Sequence, residues 1–513
     1  MSQAKCPAQS GNQSHLESAH ATADQDEVAG FLQDPATHGG APVERFDTHG
    51  AMVFLAGSRA YKVKRAVEFS YMDFSTLAKR QEACEREIAL NRRTAPSLYL
   101  HTLAITRGRD GGLALGGDGE VVEWAVVMRR FDQDDLLDRM AHEGRLTDSL
   151  LTELAEAIAR FHDDAEALST ETESGGGSKG LGWAIDESLD ELAERPELFP
   201  PREVEALAEA ARDRLAAMAT LLDRRLAQGY VRRCHGDLHL RNICLVDGVP
   251  TLFDCIEFND RIACIDVFYD LAFLLMDLDY LELRPAANLV FNRYLQMTGD
   301  LTGPGALPLF LASRALVRAK VGASAAAAQT DAAARASWRN EAGRYFRDAR
   351  AYLAPAAPRL IAVGGLSGTG KTTLARALAP DLGAAPGAVH LRSDVIRKEL
   401  CGVGEQDRLP ESAYEPKVTE AVYAAILERA GTVLAGGHSV IADAVYARAE
   451  ERAAVEALAR QHSLAFRGLW LSAEADTLVT RVEGRTGDAS DATAAVVRRQ
   501  LDYEIGPIAW QRV

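Results

Sequence analysis

A glycine-rich loop between a predicted strand and a predicted helix constrains the fold of this chain more than any other feature. The apolar residues 360–363 predict a buried strand, and the residues that follow position 372 predict a helix. Between them, residues 365–372 read Gly-Leu-Ser-Gly-Thr-Gly-Lys-Thr, which fits Gly-x-x-x-x-Gly-Lys-Ser/Thr at every defined position. This order of strand, loop and helix predicts an α/β domain that binds nucleotide phosphates.

The residue types of the loop suit that chemistry. Glycines let backbone N–H groups wrap around phosphates, and the N-terminus of the following helix adds a favourable dipole. Lys371 would reach the β- and γ-phosphates of ATP, and Thr372 would ligate Mg²⁺. We therefore assign nucleotide binding to Gly365, Ser367, Gly368, Thr369, Gly370, Lys371, Thr372 and Thr373.

Length and composition limit the remaining possibilities. A chain of 513 residues exceeds what one hydrophobic core supports, so we expect at least two domains. Hydrophobic residues make up 47% and charged residues 26%, as is typical of soluble globular proteins. No apolar run is long enough to span a membrane, and the first 25 residues lack an export-signal pattern. The seven scattered cysteines indicate thiols in a reducing cytoplasm.

Charge is distributed unevenly along the chain. The net charge is −17, but residues 358–513 hold 18 basic and 20 acidic side chains, so most of the negative charge precedes them. Repulsion by phosphates would oppose non-specific nucleic-acid binding by the acidic part. The near-neutral C-terminal part leaves a nucleic-acid end open as an acceptor.

A second set of chemically suited residues lies in the middle of the chain. Residues 235–242 read His-Gly-Asp-Leu-His-Leu-Arg-Asn and place Asp237 and Asn242 five positions apart. An Asp-Gly pair at 247–248 separates two apolar runs and predicts a β-hairpin. The hairpin would return Asp254 to the loop that holds Asp237 and Asn242. Phosphoryl transfer needs such a set, with one carboxylate to orient the acceptor hydroxyl and an amide and a carboxylate to hold Mg²⁺.

This stretch resembles the catalytic loop and metal-binding aspartate of the aminoglycoside phosphotransferase and choline kinase group, relatives of the protein kinases. The resemblance implies a two-lobed α+β fold, with Asp237 as the base and Asn242 and Asp254 as Mg²⁺ ligands. Residues 265–272 resemble the Asp-x-x-x-Asp-Leu-Ala segment of the same group. We interpret the acids of that segment as braces for the catalytic loop.

The resemblance also implies a phosphate-binding lysine on a strand and a glutamate on the next helix that orients it. One predicted strand places Lys62 and Lys64 on the same face, and the predicted helix that follows is capped by Ser75. Spacing alone cannot choose between the two lysines, or between Glu85 and Glu87. The resemblance favours Lys62 and Glu87.

Further segments fit the hinge and the larger lobe of such a fold. Residues 121–130 predict the strand that leads into the hinge between the lobes, where adenine would pair with backbone groups. The glycine-rich residues 175–180 predict a loop. A helix over residues 311–328 presents three cations, Arg314, Arg318 and Lys320. Contact with an anionic substrate is one interpretation, and a solvated face is the one we favour.

Three features in the C-terminal part extend the interpretation of the glycine-rich loop. One predicted strand leads into Asp394, another ends at Asp443, and a predicted helix carries Arg481 and Arg485 on one face. With the loop, this set resembles the small P-loop kinases of the AAA family ATPases, namely gluconate kinase, the polynucleotide 5′-hydroxyl kinase domain and the zeta-toxin group.

That resemblance implies roles for the same residues. Asp394 would be the general base for the acceptor hydroxyl, Arg397 would hold the acceptor, and Arg481 and Arg485 would close on the phosphates. Asp443 would hold Mg²⁺ through water or touch the acceptor. Simpler interpretations stay open, with Asp394 as a helix N-cap and the two later arginines as a solvated helix face.

Together these features predict a two-domain chain like those of a bacterial two-domain family. We expect a disordered tail over residues 1–27, a kinase-like aminoglycoside phosphotransferase domain over 28–354 and a P-loop kinase domain over 359–513. The fold class is then a two-lobed α+β domain followed by a doubly wound parallel α/β domain.

The favoured function is a cytoplasmic, bifunctional ATP-dependent phosphotransferase that transfers the γ-phosphoryl group to hydroxyl groups of small molecules at two Mg²⁺-dependent sites. One active kinase regulated by nucleotide binding in the other domain is an alternative, and a non-catalytic nucleotide-sensing protein is another. The intact catalytic residues of both sets speak against the last. The fold does not identify the acceptors, antibiotics included.

Overall fold

The computed structural model describes residues 22–69, 71–168, 175–484 and 489–513, and these pack as two compact units. The first unit contains the chain up to Leu281 together with Leu309–Arg350. The second contains Glu282–Pro308 together with Ala351–Val513. The second unit thus includes a segment that the sequence analysis placed in the kinase-like domain. Among the described residues, no helix is long and apolar enough to cross a bilayer.

The N-terminal lobe of the first unit is built on an antiparallel sheet. Its elements are α1 (Asp26–Gln33), β1 (Val43–Asp47), β2 (Ala51–Ala56), β3 (Arg59–Lys64), β4 (Glu68–Phe69), β5 (Met72–Asp73), α2 (Leu77–Asn91), β6 (Tyr99–Arg107), β7 (Leu113–Leu115) and β8 (Glu120–Arg129). Six strands pair in the order β1-β2-β3-β8-β6-β7. Cys84 and Ile88 of α2 pack with Val126 and Met128 of β8, so α2 covers one face of the sheet.

Two details of this lobe differ from the sequence analysis. Thr76 caps α2, because the hydroxyl of the predicted cap, Ser75, donates to Asp73 at 2.6 Å instead. The helix α1 begins at Asp26, two residues before the predicted start of the domain. Residues 1–21 of the predicted tail lie outside the described residues.

The elements that follow are mostly helical. They are α3 (Leu137–His142), α4 (Asp148–Asp164), α5 (Gly177–Ala193), α6 (Pro201–Ala227), β9 (Val231–Arg233), β10 (Ile243–Val246), β11 (Val249–Leu252), α7 (Asp260–Ala263), β12 (Cys264–Asp266), α8 (Val267–Tyr280), α9 (Arg284–Thr298), α10 (Leu307–Ala328) and α11 (Ala332–Leu353). Apolar residues occupy nearly every face of α8, which is buried along most of its length at the core of the lobe. Asp247 and Gly248 join β10 to β11 with φ values of 53° and 83°, so the predicted hairpin is confirmed.

The predicted loop over residues 175–180 is wrong, because α5 begins at Gly177. The glycines there permit close packing. A Cβ on Gly180 would lie 2.2 Å from the backbone of Gly175, and a Cβ on Gly175 would lie 1.9 Å from the carbonyl oxygen of Arg261. Glycine composition alone does not distinguish such close approaches from a loop.

The second unit contains a parallel sheet flanked by helices. Its elements after α9 are β13 (Arg359–Gly365), α12 (Lys371–Leu378), β14 (Val389–Arg392), α13 (Ser393–Leu400), α14 (Pro416–Ala435), β15 (Val440–Asp443), α15 (Ala449–Gln461), β16 (Ala465–Leu471), α16 (Ala475–Glu483), α17 (Ala494–Leu501) and β17 (Gln511–Arg512). Five strands pair in parallel in the order β14-β15-β13-β16-β17. The predicted parallel α/β fold is confirmed. The loop after β13 lies at the centre of the sheet, where the strand order reverses and such sheets bind ligands.

Candidate active sites

Asp237 and Asn242 lie together in the loop between β9 and β10. Asn242 Nδ2 donates hydrogen bonds of 2.9 Å to both the carbonyl and the carboxylate of Asp237. Nε2 of His239 lies 3.3 Å from the same carboxylate. Burial favours the neutral acid, but the His239 imidazole outweighs it and holds the pKa of Asp237 well below its usual range. Asp237 is therefore an anion at neutral pH, as a group that orients a hydroxyl must be.

Asp270 of α8 braces this loop. Its carboxylate accepts the backbone N–H groups of His235 at 3.0 Å and Gly236 at 2.9 Å, and Nε2 of His162 lies 3.0 Å away. Arg314 of α10 donates to the Gly236 carbonyl at 3.2 Å. The predicted bracing role is therefore confirmed for Asp270, and Arg314 adds a second brace that the sequence analysis missed.

The predicted solvated face on α10 is wrong. Arg314 is 3% exposed and its guanidinium lies 3.8 Å from the centre of the Tyr269 ring. Arg318 lies 3.1 Å from Glu341, and Lys320 pairs with Glu187. Each cation thus has an aromatic or acidic partner within the first unit, and such partners on distant elements cannot be read from the spacing of charges along one helix.

Asp254 follows β11 and meets Lys62. Its backbone has φ of 64°, and its N–H donates to the hydroxyl of Tyr99 at 3.0 Å. Lys62 Nζ of β3 lies 2.5 Å from Asp254 Oδ1 and 2.9 Å from Glu87 Oε1 of α2. Burial opposes the charge on Lys62, but the carboxylates of Asp254 and Glu87 raise its pKa well above the usual value. Partial desolvation likewise opposes charge on Asp254, but Lys62 outweighs it and lowers the pKa of Asp254.

The alternatives for the lysine and the glutamate occupy distinct places. Lys64 is 3% exposed on its side chain and contacts Glu87 and Glu257, whereas the side chain of Lys62 is 13% exposed beside Asp254. Glu85 lies on the exposed side of α2, where it accepts from Gln81 at 2.9 Å. The geometry brings together Lys62, Glu87 and Asp254. Sequence reasoning missed Glu257. The available signal was its position only three residues after Asp254.

The chemistry of these side chains fits Mg²⁺. Asp254 offers a carboxylate, and its side chain is 41% exposed. A ligand from Asn242 would be its amide oxygen, because the nitrogen already donates to Asp237. Mg²⁺ prefers such oxygen donors and keeps several waters. These residues are therefore the ones that would hold the cation in the first unit.

The glycine-rich loop of the second unit has the conformation its residues require. Gly365, Gly368 and Gly370 have φ of 143°, 86° and 94°, respectively. A Cβ on Gly368 would lie 2.7 Å from the carbonyl oxygen of Leu478, so a larger residue does not fit there. Because α12 begins at Lys371, its first N–H groups open into the loop. This is the arrangement that binds phosphates.

The other predicted loop residues differ in what they contact. Ser367 donates its N–H to Oε1 of Gln500 at 2.8 Å, and the Thr369 hydroxyl donates to the Leu366 carbonyl at 2.8 Å. Thr373 is exposed on α12. Gln500 is a contact that the sequence analysis missed, because it comes from α17 far along the chain.

Thr372 and Asp443 form the candidate metal site of this unit. The register of β13 and β15 pairs Val363 with Asp443, which brings the aspartate beside the loop. Thr372 Oγ1 donates to Asp443 Oδ2 at 2.6 Å, and His390 Nε2 lies 3.4 Å from the same oxygen. Burial raises the pKa of Asp443, but His390 and the nearby Lys371 and Thr372 outweigh it and lower the pKa to about 2. This hydroxyl and carboxylate fit Mg²⁺ as oxygen donors. His390 was missed by the sequence analysis.

Lys371 and Arg481 both contact the loop. Lys371 Nζ donates to the Leu366 carbonyl at 3.1 Å, and Arg481 Nη1 of α16 lies 3.4 Å from the Gly368 carbonyl. Arg485 lies outside the described residues. Thus Arg481 is placed next to the loop that would cradle the phosphates.

Asp394 and Arg397 lie on α13. Asp394 is half-buried in the first turn, and Arg392 holds the cap position, so the alternative of an Asp394 N-cap is wrong. Arg397 is buried and donates to the Ala413 carbonyl at 2.7 Å, with its guanidinium 5.0 Å from the centre of the Tyr414 ring. The guanidinium of Arg397 is thus held by groups of the chain itself.

Comparisons with known proteins find matches for both parts of the chain. Residues 56–308 match the model of the "Phosphotransferase enzyme family", and residues 360–504 match an "AAA domain". The "Uncharacterized protein Rv2004c" of Mycobacterium tuberculosis is 35% identical over 472 residues, which are 90% of this chain and 90% of that protein.

Two solved structures give weaker likenesses. A choline/ethanolamine kinase family protein from Mesorhizobium loti is 17% identical, with 64% of this chain and 98% of that chain covered and a TM-score of 0.37. An aminoglycoside phosphotransferase from Streptomyces rimosus is 19% identical, with 56% and 98% covered and a TM-score of 0.32.

The identity and coverage of the mycobacterial relative decide the family, and the two domain matches decide the class of enzyme. The chain belongs to the family of this mycobacterial protein and is an ATP-dependent kinase, with a phosphotransferase-family domain followed by an AAA-type P-loop domain.

Proposed function

We propose that both domains are catalytic, each transferring the γ-phosphoryl group of ATP to a hydroxyl group of a small molecule with the help of Mg²⁺. The observation that carries this proposal is that each unit gathers a set of side chains suited to phosphoryl transfer. The proposed domains are residues 28–354 and 359–513, with Glu282–Pro308 folding into the second unit.

In the first site, Lys62 would bind the α- and β-phosphates while Glu87 holds its ammonium group in place. We propose that the base of the nucleotide binds in a cavity beside the end of β8. The hinge between the lobes was expected at this position. The cavity is lined by residues that include Phe46, Ser58, Arg130 and Phe131. Phe46 and Phe131 are its aromatic residues, against which a base could stack, and most of the remaining lining is polar or charged.

Asp237 is the proposed base of the first site. Its carboxylate would accept a hydrogen bond from the acceptor hydroxyl, fix the direction of the oxygen lone pair and take the proton as transfer proceeds. Asn242 and Asp254 would hold Mg²⁺, which when bound neutralises charge on the phosphate oxygens. Asp270 and Arg314 act indirectly, by keeping the loop rigid around Asp237.

In the second site, Lys371 and the N–H groups at the start of α12 would bind the phosphates. Thr372 and Asp443 would hold Mg²⁺, and Asp394 would orient the acceptor hydroxyl. Arg481 would neutralise phosphate charge from α16, and the same role is proposed for Arg485. Arg397 is proposed to hold the acceptor through the part of its side chain not engaged by Ala413.

The proposed acceptors are small hydroxyl compounds in the cytoplasm, and a nucleic-acid end remains an acceptor of the second site to be tested. The net charge of −17 resides mostly outside residues 358–513, which supports a neutral or cationic acceptor for the first site. The fold does not select among such compounds.

A metabolite library screened for transfer of labelled γ-phosphate tests the proposal. We would compare the full-length chain with Asp254→Ala and with Lys371→Ala. The proposal predicts one set of products lost only with Asp254→Ala and another lost only with Lys371→Ala. Loss of every product with either change would favour regulation of one catalytic domain by the other, and insensitivity of all products to one change would leave a single catalytic domain.

A further inference from the structure

The strand β14 is an edge strand that leads directly to two parts of the proposed P-loop site. It pairs with β15 on one side of the five-stranded sheet. Its residue His390 approaches Asp443, and α13 with Asp394 begins immediately after it. An edge strand presents backbone N–H and C=O groups on its open side, and these need partners to fix its position.

The helix α9 supplies those partners through two asparagine side chains. Asn292 Oδ1 accepts the backbone N–H of His390 at 2.7 Å, and Asn292 Nδ2 donates to the Ala388 carbonyl at 3.1 Å. Asn288, which is 5% exposed, donates to the same carbonyl at 3.1 Å. The side-chain amide of Asn292 therefore both accepts from and donates to the backbone at β14, as the backbone of a neighbouring strand would.

A second contact holds α9 near the other end of β14. Arg293 Nη1 lies 2.5 Å from Glu405 Oε2, and Gln296 donates to this oxygen at 2.9 Å. Oε1 of Glu405 lies 3.9 Å from Nη1 of Arg392, the last residue of β14. Because these contacts are spread along the helix, they fix its rotation as well as its distance from the strand.

The effect of the Asn292 bonds reaches the metal site in two steps. First, the bond to the His390 N–H fixes the position of β14. Second, the His390 ring then lies 3.4 Å from Asp443 Oδ2, the oxygen that accepts a hydrogen bond from Thr372. The side chains of His390 and Asp443 are only 7% and 5% exposed, so little room exists for either to turn when β14 is held. Partners outside the ligand sphere set the direction of a metal ligand in this way.

We propose that Asn292 and His390 are positioning residues for the Mg²⁺-holding pair of the P-loop site. Helix α9 precedes the P-loop in the chain by more than 60 residues. It would nevertheless help to position the metal ligands of that site. This inference rests on the proposed function of the second site. It also implies that a chain beginning after residue 355 lacks part of its own active site.

The test measures ATP affinity of the full-length protein with Mg²⁺ and with EDTA. All proteins carry Lys62→Ala, so that binding reports the P-loop site, and Lys371→Ala in that background defines zero binding. The variants are Asn292→Ala, His390→Ala and His390→Gln, the last of which keeps an N–H donor. Met297→Ala is the matched control, because Met297 is exposed on the same helix.

We expect Asn292→Ala and His390→Ala each to reduce the gain in affinity from Mg²⁺ by about tenfold, with affinity in EDTA changed by less than about threefold. His390→Gln should retain most of the gain, and Met297→Ala should match the parent. An unchanged Mg²⁺ gain in His390→Ala, or equal losses with and without Mg²⁺ in both variants, would overturn the inference. If Asn292→Ala does not fold, the two His390 variants decide. A parent without Lys371-dependent binding would overturn the proposed function itself, and the inference with it.

Discussion

The ammonium group of Lys62 lies 2.5 Å from Oδ1 of Asp254, a residue 192 positions later in the chain. The same group lies 2.9 Å from Glu87, so one cation joins β3, α2 and the end of the β10–β11 hairpin. Asp254 is thereby held as an anion in a fixed place before nucleotide arrives. When a nucleotide binds, we expect Lys62 to turn from Asp254 to the phosphates and leave the carboxylate to Mg²⁺.

Asp254→Asn tests the metal role of this carboxylate. The change removes the anionic oxygen, and loss even of an indirect partner commonly costs 10–100-fold in metal affinity. We expect the Mg²⁺ concentration for half-maximal transfer at the first site to rise by at least about tenfold, as measured from initial rates. Asp247→Asn is the control, because Asp247 is a solvent-exposed acid of the same hairpin. Equal Mg²⁺ dependence in the two variants would contradict the assignment.

Glu87→Gln tests which glutamate orients the lysine. Glu87 is fully buried and touches both Lys62 and Lys64, so its loss leaves buried positive charge with less compensation. Breaking a buried ion pair typically costs about 3–5 kcal/mol. We expect a lower melting temperature for the first unit and a higher KM for ATP at its site. The matched variant Glu85→Gln should change neither, since Glu85 is exposed; similar effects of the two changes would show that Glu87 has no special role.

These open alternatives show what the sequence could predict. The residues of the P-loop and the set of Asp237, Asn242 and Asp254 were found because their geometry is local, with a short loop or a two-residue turn fixing it. Lys62 and Lys64 could not be separated, because strand alternation gives the face of a residue and not its depth.

Contacts between segments that are far apart in the chain could not be predicted from the sequence. The burial of Arg314 depends on Tyr269 and the catalytic loop, which are far from it in the chain. The membership of α9 in the second unit depends on which strand its asparagines meet. Periodicity shows that a helix has an apolar face, but not which domain that face covers.

The burial of His438 predicts that the stability of the second unit depends on pH. His438 is 1% exposed, and its Nε2 lies 2.8 Å from the Gly387 carbonyl. Burial lowers its pKa from a usual value near 6.5 to about 4. The unfolded chain therefore binds a proton at a pH where the folded chain does not. The resulting stability is complete above about pH 6.5 and is lost as pH falls towards 4, by about 3 kcal/mol in total.

Hydrogen exchange of the β15 amide groups between pH 7 and pH 4.5, corrected for intrinsic exchange rates, measures this loss. His438→Gln removes the titrating group. The opening free energy of this variant should therefore fall less between pH 7 and pH 4.5 than that of the parent. An equal fall in the two proteins would show that other groups cause the pH dependence.

Two carboxylates, one in each unit, are proposed to act on two acceptor hydroxyl groups. Asp237→Asn and Asp394→Asn keep the size of each side chain and remove its charge. Because each group would face the acceptor and not the nucleotide, we expect transfer at its own site to fall by about 10²–10⁴-fold. The affinity of that site for ATP should change by less than about threefold, a small free energy on this scale.

The most direct measurement is the single-turnover rate of γ-phosphoryl transfer to one acceptor of each site, in the full-length chain and in both variants. We expect Asp237→Asn to slow transfer only to the first acceptor and Asp394→Asn only to the second. Full rates in both variants on identified acceptors would contradict the assignment of the two bases, and loss of both activities in either variant would contradict the independence of the sites.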